Sequence, residues 1–174
     1  VPAQALTTAQ IAAEAGLSVG GLYRFFADKQ AIIDAVALDH LDALAAGLAE
    51  GLMAELPDSP AAFLGAVLAG VAAYLDAHPD FLTLAYGGPE GGGRAISPAL
   101  FAQQAAGGEL ATMVRDSMRL LYGLEPGEGF DFRLRLAAQV GDRLIGHAFA
   151  QAGEERARVL AEAQRILSFT LFGD

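Results

Sequence analysis

The sequence predicts an all-α protein, and three observations carry that prediction. Alanine, the strongest helix former, is the commonest residue at 37 of 174. Apolar residues recur at spacings of three and four through most of the chain. No segment shows the strict alternation of a half-buried strand, and no internal repeat period emerges. At 53% hydrophobic and 18% charged residues, the chain is too apolar for disorder and long enough to bury a sizeable core.

Thr7 or Thr8 caps a short first helix that reaches Ala15, with Ile11, Ala12 and Ala15 on its buried side. Gly16 ends it, because glycine enters the left-handed conformation of a helix end without a steric cost. Ser18 caps a second short helix running to about Phe26, on which Leu22 and Phe26 lie four apart. Asp28 opens a long third helix, where Ile32, Ile33, Val36, Leu41, Leu44, Leu48 and Leu52 keep helical spacing. Ser59 followed by Pro60, and Ser97 followed by Pro98, each read as an N-cap with a first-turn proline. The helix from Pro60 stops at His78 and Pro79, and a short piece from Asp80 carries Phe81, Leu82, Leu84 and Tyr86. Residues 87–93 hold five glycines and read as a flexible loop. They are no phosphate cradle, since no Gly-Lys-Ser/Thr follows and no strand precedes. One helix from Pro98 runs towards Tyr122, with a weak point at Gly107 and Gly108. Asp131 opens another, with Leu136, Val140, Leu144 and Ala148 on one face. After Gly153 a last helix carries Leu160, Ile166, Leu167 and Leu171, for about eight helices in all.

Charge and composition exclude several functions. The net charge is −10, with −2 in the first 40 residues, −8 in the rest, and Lys29 as the single lysine. Such a chain cannot coat nucleic acid or an anionic membrane without specificity, so any DNA contact must be local. The absence of cysteine rules out disulfides and thiolate chemistry, and suits the cytoplasmic location we expect. No apolar run reads as a membrane span, and no basic n-region precedes an apolar run at Val1, so no membrane partner is expected. His40, His78 and His147 lack metal-ligand spacing, and neither a metal nor a cofactor is expected. Ser59 and Ser97 are caps, and no Ser–His–Asp order with a nucleophile elbow exists, so the chain does not read as an enzyme.

The first forty residues hold the one specific signal. Two short helices about a glycine turn are the sequence form of a helix-turn-helix. The second begins Ser18-Val19-Gly20-Gly21, so small side chains there let it lie deep in a major groove. Tyr23, Arg24 and Lys29 supply hydrogen-bond donors on the same segment. The pattern Thr8-x-x-Ile11-Ala12-x-x-Ala15-Gly16-Leu17-Ser18-x-Gly20-x-Leu22-Tyr23-x-x-Phe26-x-x-Lys29-x-x-Ile32 resembles the DNA-binding signature of the TetR family of bacterial transcriptional regulators.

That resemblance implies roles for individual residues. Thr8, Tyr23 and Lys29 would hold backbone phosphates, while Ser18 starts the recognition helix. Val19, Gly20, Gly21 and Arg24 would face base edges or the adjacent backbone, and Arg24 alone on this helix could contact guanine through two donors. It also implies a bracing helix and a basic arm before Thr7, of which residues 1–6 would be only the tail. Residues 1–42 are then the DNA-binding domain, N-terminally incomplete, and residues 43–174 a helical effector-binding and dimerisation domain. The last two helices, residues 131–151 and 154–172, would pair across a two-fold axis through Ala137, Val140, Gly141, Leu144, Leu160, Leu167 and Leu171. Phe63, Val67, Tyr74, Phe81, Tyr86, Phe101, Met113 and Met118 are candidates to line an apolar effector pocket, although such residues also serve as plain core. Asp142, Arg143 and His147 lie on one otherwise apolar helix, with Arg143 and His147 four apart, and read as its polar handle, as an interface ion pair or as a solvated stripe. The expected function is a repressor that binds palindromic operator DNA as a homodimer and is released by a small hydrophobic effector. The alternative is a helical small-molecule-binding protein without DNA-binding activity.

Overall fold

The structure, a computed structural model, describes residues 6–87, 93–125 and 127–173. The described residues form nine α-helices and no strand. These are α1 (Thr8–Glu14), α2 (Val19–Leu22), α3 (Lys29–Ala54), α4 (Pro60–Ala77), α5 (Pro79–Tyr86), α6 (Pro98–Gly107), α7 (Glu109–Tyr122), α8 (Glu128–Phe149) and α9 (Gly153–Phe172).

Side-chain caps fix where five of them begin. Thr7 and Gln10 form a reciprocal capping box on α1. Ser18 Oγ accepts from the Gly21 amide at 3.0 Å, and an Asp28 carboxylate oxygen accepts from Ala31 at 2.8 Å. Ser59 and Ser97 cap α4 and α6 in the same way, each followed by proline at the first helical position.

Three boundaries differ from the sequence reading. α2 ends at Leu22 instead of Phe26, since Gly20 and Gly21 make half of it entropically costly. The chain still coils onward, with the Phe26 amide donating to Leu22 O at 3.1 Å. The single helix expected from Pro98 to Tyr122 is two, divided at Gly108, whose extended backbone ends α6 and precedes α7. α8 starts at Glu128, ahead of Asp131. Most of the glycine-rich stretch, residues 88–92, lies outside the described residues.

α3 passes without a break through residue 42, so the expected domain boundary falls inside a helix shared by both regions. Behind it, α3 to α9 pack into one apolar core in which Phe63, Leu75 and Met118 are fully enclosed. Contrary to the sequence reading, Pro60–Ala77 is long and apolar enough to cross a membrane, with Asp76 its one charge. Its Phe63, Leu64, Val67, Leu68, Val71 and Leu75 are instead buried against neighbouring helices. The last connection folds α9 back on α8, and the two helices share the longest seam of the bundle. Gly141 permits that approach: a Cβ there would meet Leu167 Cδ1 at 3.1 Å.

Candidate nucleic-acid interface and inner cavity

The N-terminal residues singled out in sequence come together on one exposed surface. Gly16 makes the turn between α1 and α2 at φ 67°, a conformation that penalises any side chain. The turn places α2 beside the start of α1, where the Tyr23 hydroxyl donates to Thr8 Oγ1 at 3.4 Å. The two expected phosphate ligands, fifteen residues apart in sequence, therefore share one patch. Lys29 Nζ donates to Leu6 O at 3.0 Å, which ties the first turn of α3 to the segment entering α1. Ser18, Val19, Gly20, Tyr23 and Arg24 are all exposed, while Thr8, Gly21 and Lys29 are half-buried. Below them Ala12 and Leu22 are buried and hold the two short helices together. Exposed Leu17 and Phe25 flank the patch with apolar surface.

The larger region holds a partly open cavity of about 220 Å³. Leu41 and Leu44 of α3, Val67 and Val71 of α4, Phe81 of α5, and residues of α6 to α9 form its wall. The wall is almost wholly apolar. Its polar end is built from Arg94, Asp142, Tyr86 and Gln104. Arg94 Nη2 donates to Asp142 Oδ1, and Arg94 Nε donates to Ala85 O at 2.8 Å. The guanidinium lies over the rings of Phe101 and Tyr86, 4.7 and 5.6 Å from their centroids. Burial, followed by the negative charge of Asp142, pushes the Tyr86 phenol well above its ordinary pKa, so it stays a hydrogen-bond donor. Gly146 makes room for this ring, since a Cβ there would come within 2.7 Å of Tyr86 Cδ1.

Of the residues proposed from sequence for the pocket, Val67, Phe81, Tyr86, Phe101 and Asp142 line this cavity. Phe63 is core and meets Tyr122 edge to face. Met113 packs against the core from outside the cavity. Tyr74 points to the junction of α4 and α5, where it stacks on His78 and lies 2.9 Å from His40 Nδ1. Arg143 and His147 are exposed, because α8 turns Asp142, their neighbour, to the cavity and carries them on the opposite side. They fall on the outward stripe of Phe132, Leu136 and Val140.

The interface residues divide similarly. Ala137, Gly141, Leu167 and Leu171 are buried within this chain, at the seam that α8 and α9 make with each other and with the cavity. They are not available to a second copy. Val140, Leu144 and Leu160 are half-buried. The large apolar side chains exposed on these helices are Phe132 and Leu136 of α8, and Ile166 and Phe169 of α9.

Sequence reasoning missed Arg94 and the hydrogen bonds around it. A signal was present: Arg94 is the only Lys or Arg between Lys29 and Arg115. It also missed the grip of α3 on the segment that carries Arg94. Gln30 Nε2 donates to Ala95 O at 2.9 Å, and Asp34 Oδ1 accepts from the Ser97 amide at 2.9 Å. Ile96, between them, lines the cavity.

Two short capped helices about a left-handed glycine, with hydroxyl and basic groups on the exposed side, define a helix-turn-helix. Residues 2–36 match the family model of bacterial regulatory proteins, tetR family. That match covers the helix-turn-helix region of the chain. No curated protein and no solved structure matches the chain.

Proposed function

We propose that the protein is a ligand-responsive repressor that binds palindromic operator DNA as a homodimer and leaves it when a small molecule fills the inner cavity. The observation that carries this reading is the path from cavity to DNA surface. Arg94 and Ile96 face the cavity, while the backbone between and after them is held by Gln30 and Asp34 on the first turns of α3. That same first turn carries Lys29, which reaches back to Leu6. A ligand that displaces Arg94 or Ile96 pulls on the helix that positions the recognition segment. To act, it must bind the DNA-incompetent arrangement more tightly than the competent one.

Thr8, Tyr23 and Lys29 hold phosphates, and Val19, Gly20, Gly21 and Arg24 face the groove. The dimer covers the outward face of α8 and α9, where Phe132, Leu136, Ile166 and Phe169 expose apolar surface beside Arg143 and His147. Two recognition segments must then reach major grooves about 34–36 Å apart. A gel-shift titration on DNA flanking the protein's own gene, at stated salt, tests the reading. A specific shift by a dimer on a palindrome is expected. A folded dimer that shifts no such DNA at any salt would favour a small-molecule-binding protein without DNA-binding activity.

A further inference from the structure

We infer that Gln104 sets the class of ligand: the cavity selects a molecule apolar over most of its length that ends in a carboxamide-like group, with an N–H donor beside a carbonyl acceptor. This rests on the reading of the cavity as the effector site. Three observations converge on it.

The wall comes first. It is almost wholly aliphatic and aromatic, and its polar side chains are Tyr86, Arg94, Gln104 and Asp142. Their partners come next. Asp142 accepts from Arg94 and from the Tyr86 hydroxyl, and Arg94 Nε donates to Ala85 O. The Gln104 carboxamide meets no hydrogen-bond partner among the described residues, so its bonding capacity is left for a ligand to match. Position is third. Gln104 lies one turn beyond Leu100 and Phe101 on α6, and all three line the cavity, while Gln103 is exposed. Gly108 gives the amide its place, since a Cβ there would run into Gln104 Oε1.

A carboxamide offers two N–H donors and a carbonyl acceptor. A wholly apolar ligand shields this half-buried group from water and returns no hydrogen bond, which costs free energy. A ketone restores one bond, by accepting from the amide N–H. A ligand amide meets the group on both sides at once: its N–H donates to Gln104 Oε1 and its carbonyl accepts from Gln104 Nε2. The matched pair therefore favours an amide over an isosteric ketone.

The test uses the full chain and three uncharged probes of similar length: octanamide, octanol and nonan-2-one. Nonan-2-one has the shape of octanamide with a methyl in place of the amino group, so it only accepts. Binding is followed by calorimetry at neutral pH, for the unaltered protein and for Gln104→Met, which keeps the length of the side chain and removes its amide. The variant is expected to weaken octanamide by about three- to tenfold more than nonan-2-one, with octanol between them. Gln104→Leu is a second variant with the same expectation, in case the first fails to fold. A plain packing role for Gln104 would change all three affinities by one factor, and that result would overturn the inference while leaving the effector site standing. So would octanamide binding that is unaltered in both variants. Failure of all three probes to bind the unaltered protein would overturn the inference and the effector reading together.

Discussion

The helix-turn-helix and the bundle behind it solve opposite problems. The first needs its working side chains in water, and it buries little beyond Ala12 and Leu22. Its order comes from local bonds: the Thr7 and Gln10 box, the Ser18 cap, the turn at Gly16 and the contact of Tyr23 with Thr8. The bundle holds a cavity, and assembles its wall from seven helices that are far apart in sequence. One region is built from neighbours in the chain, the other from neighbours in space. α3 belongs to both.

That contrast can be broken at several points. The largest effect is expected in the bundle core. Phe63→Ala should destabilise the whole protein by about 3–5 kcal/mol, read as a lower urea midpoint. A loss confined to the bundle, with the N-terminal helices unaffected, would show that the regions fold separately. Next, Tyr23→Phe combined with Lys29→Ala should weaken operator binding by about 2–3 kcal/mol, with circular dichroism and melting of the bundle unchanged. Unaltered affinity would show that the phosphate contacts lie elsewhere.

Gln30→Ala combined with Asp34→Ala should cut the coupling between cavity and DNA by about 1–2 kcal/mol. The readout is the ratio of DNA affinities with and without bound ligand, which should fall towards one. Gly16→Ala should cost about 1 kcal/mol or more, because its φ of 67° strains any side chain. The loss should show in DNA binding before it shows in the bundle.

The smallest effect is the response to acid. Burial acts to raise the Asp34 carboxyl, but hydrogen bonds from Ser97 and Gln30 outweigh it and hold the group below its ordinary range. The Arg156 hydrogen bond does the same for Asp76. A carboxyl depressed in the folded state stabilises it above the unfolded value of about 4 and loses that contribution as pH falls further. The urea midpoint should therefore drop below about pH 4, and by less in Asp34→Asn than in the unaltered protein.

The same contrast explains what could be read in the sequence. Caps, proline starts and the turn at Gly16 are local, so the helix order and the helix-turn-helix were legible. The split at Gly108 was visible only as a weak point, because two adjacent glycines do not reveal whether packing will bridge them. The cavity was hardly legible. Asp142, Arg143 and His147 all offered a polar handle, yet one step around α8 decides between cavity and surface, and of the three Asp142 alone lines the cavity. Gly141 and Leu167 suit close helix packing as expected, but they close the seam of one chain and not a contact between two. Small residues report that helices approach, and the identity of the partner helix is set by the tertiary fold.

The most direct test of the account is the linkage between its two regions. DNA affinity of the full chain would be measured by fluorescence anisotropy at fixed salt, with the cavity empty and with it saturated by octanol. The account predicts that filling weakens DNA binding by about tenfold or more, and that DNA weakens octanol binding by the same factor. Equal DNA affinity in the two states, with octanol shown to be bound, would contradict it.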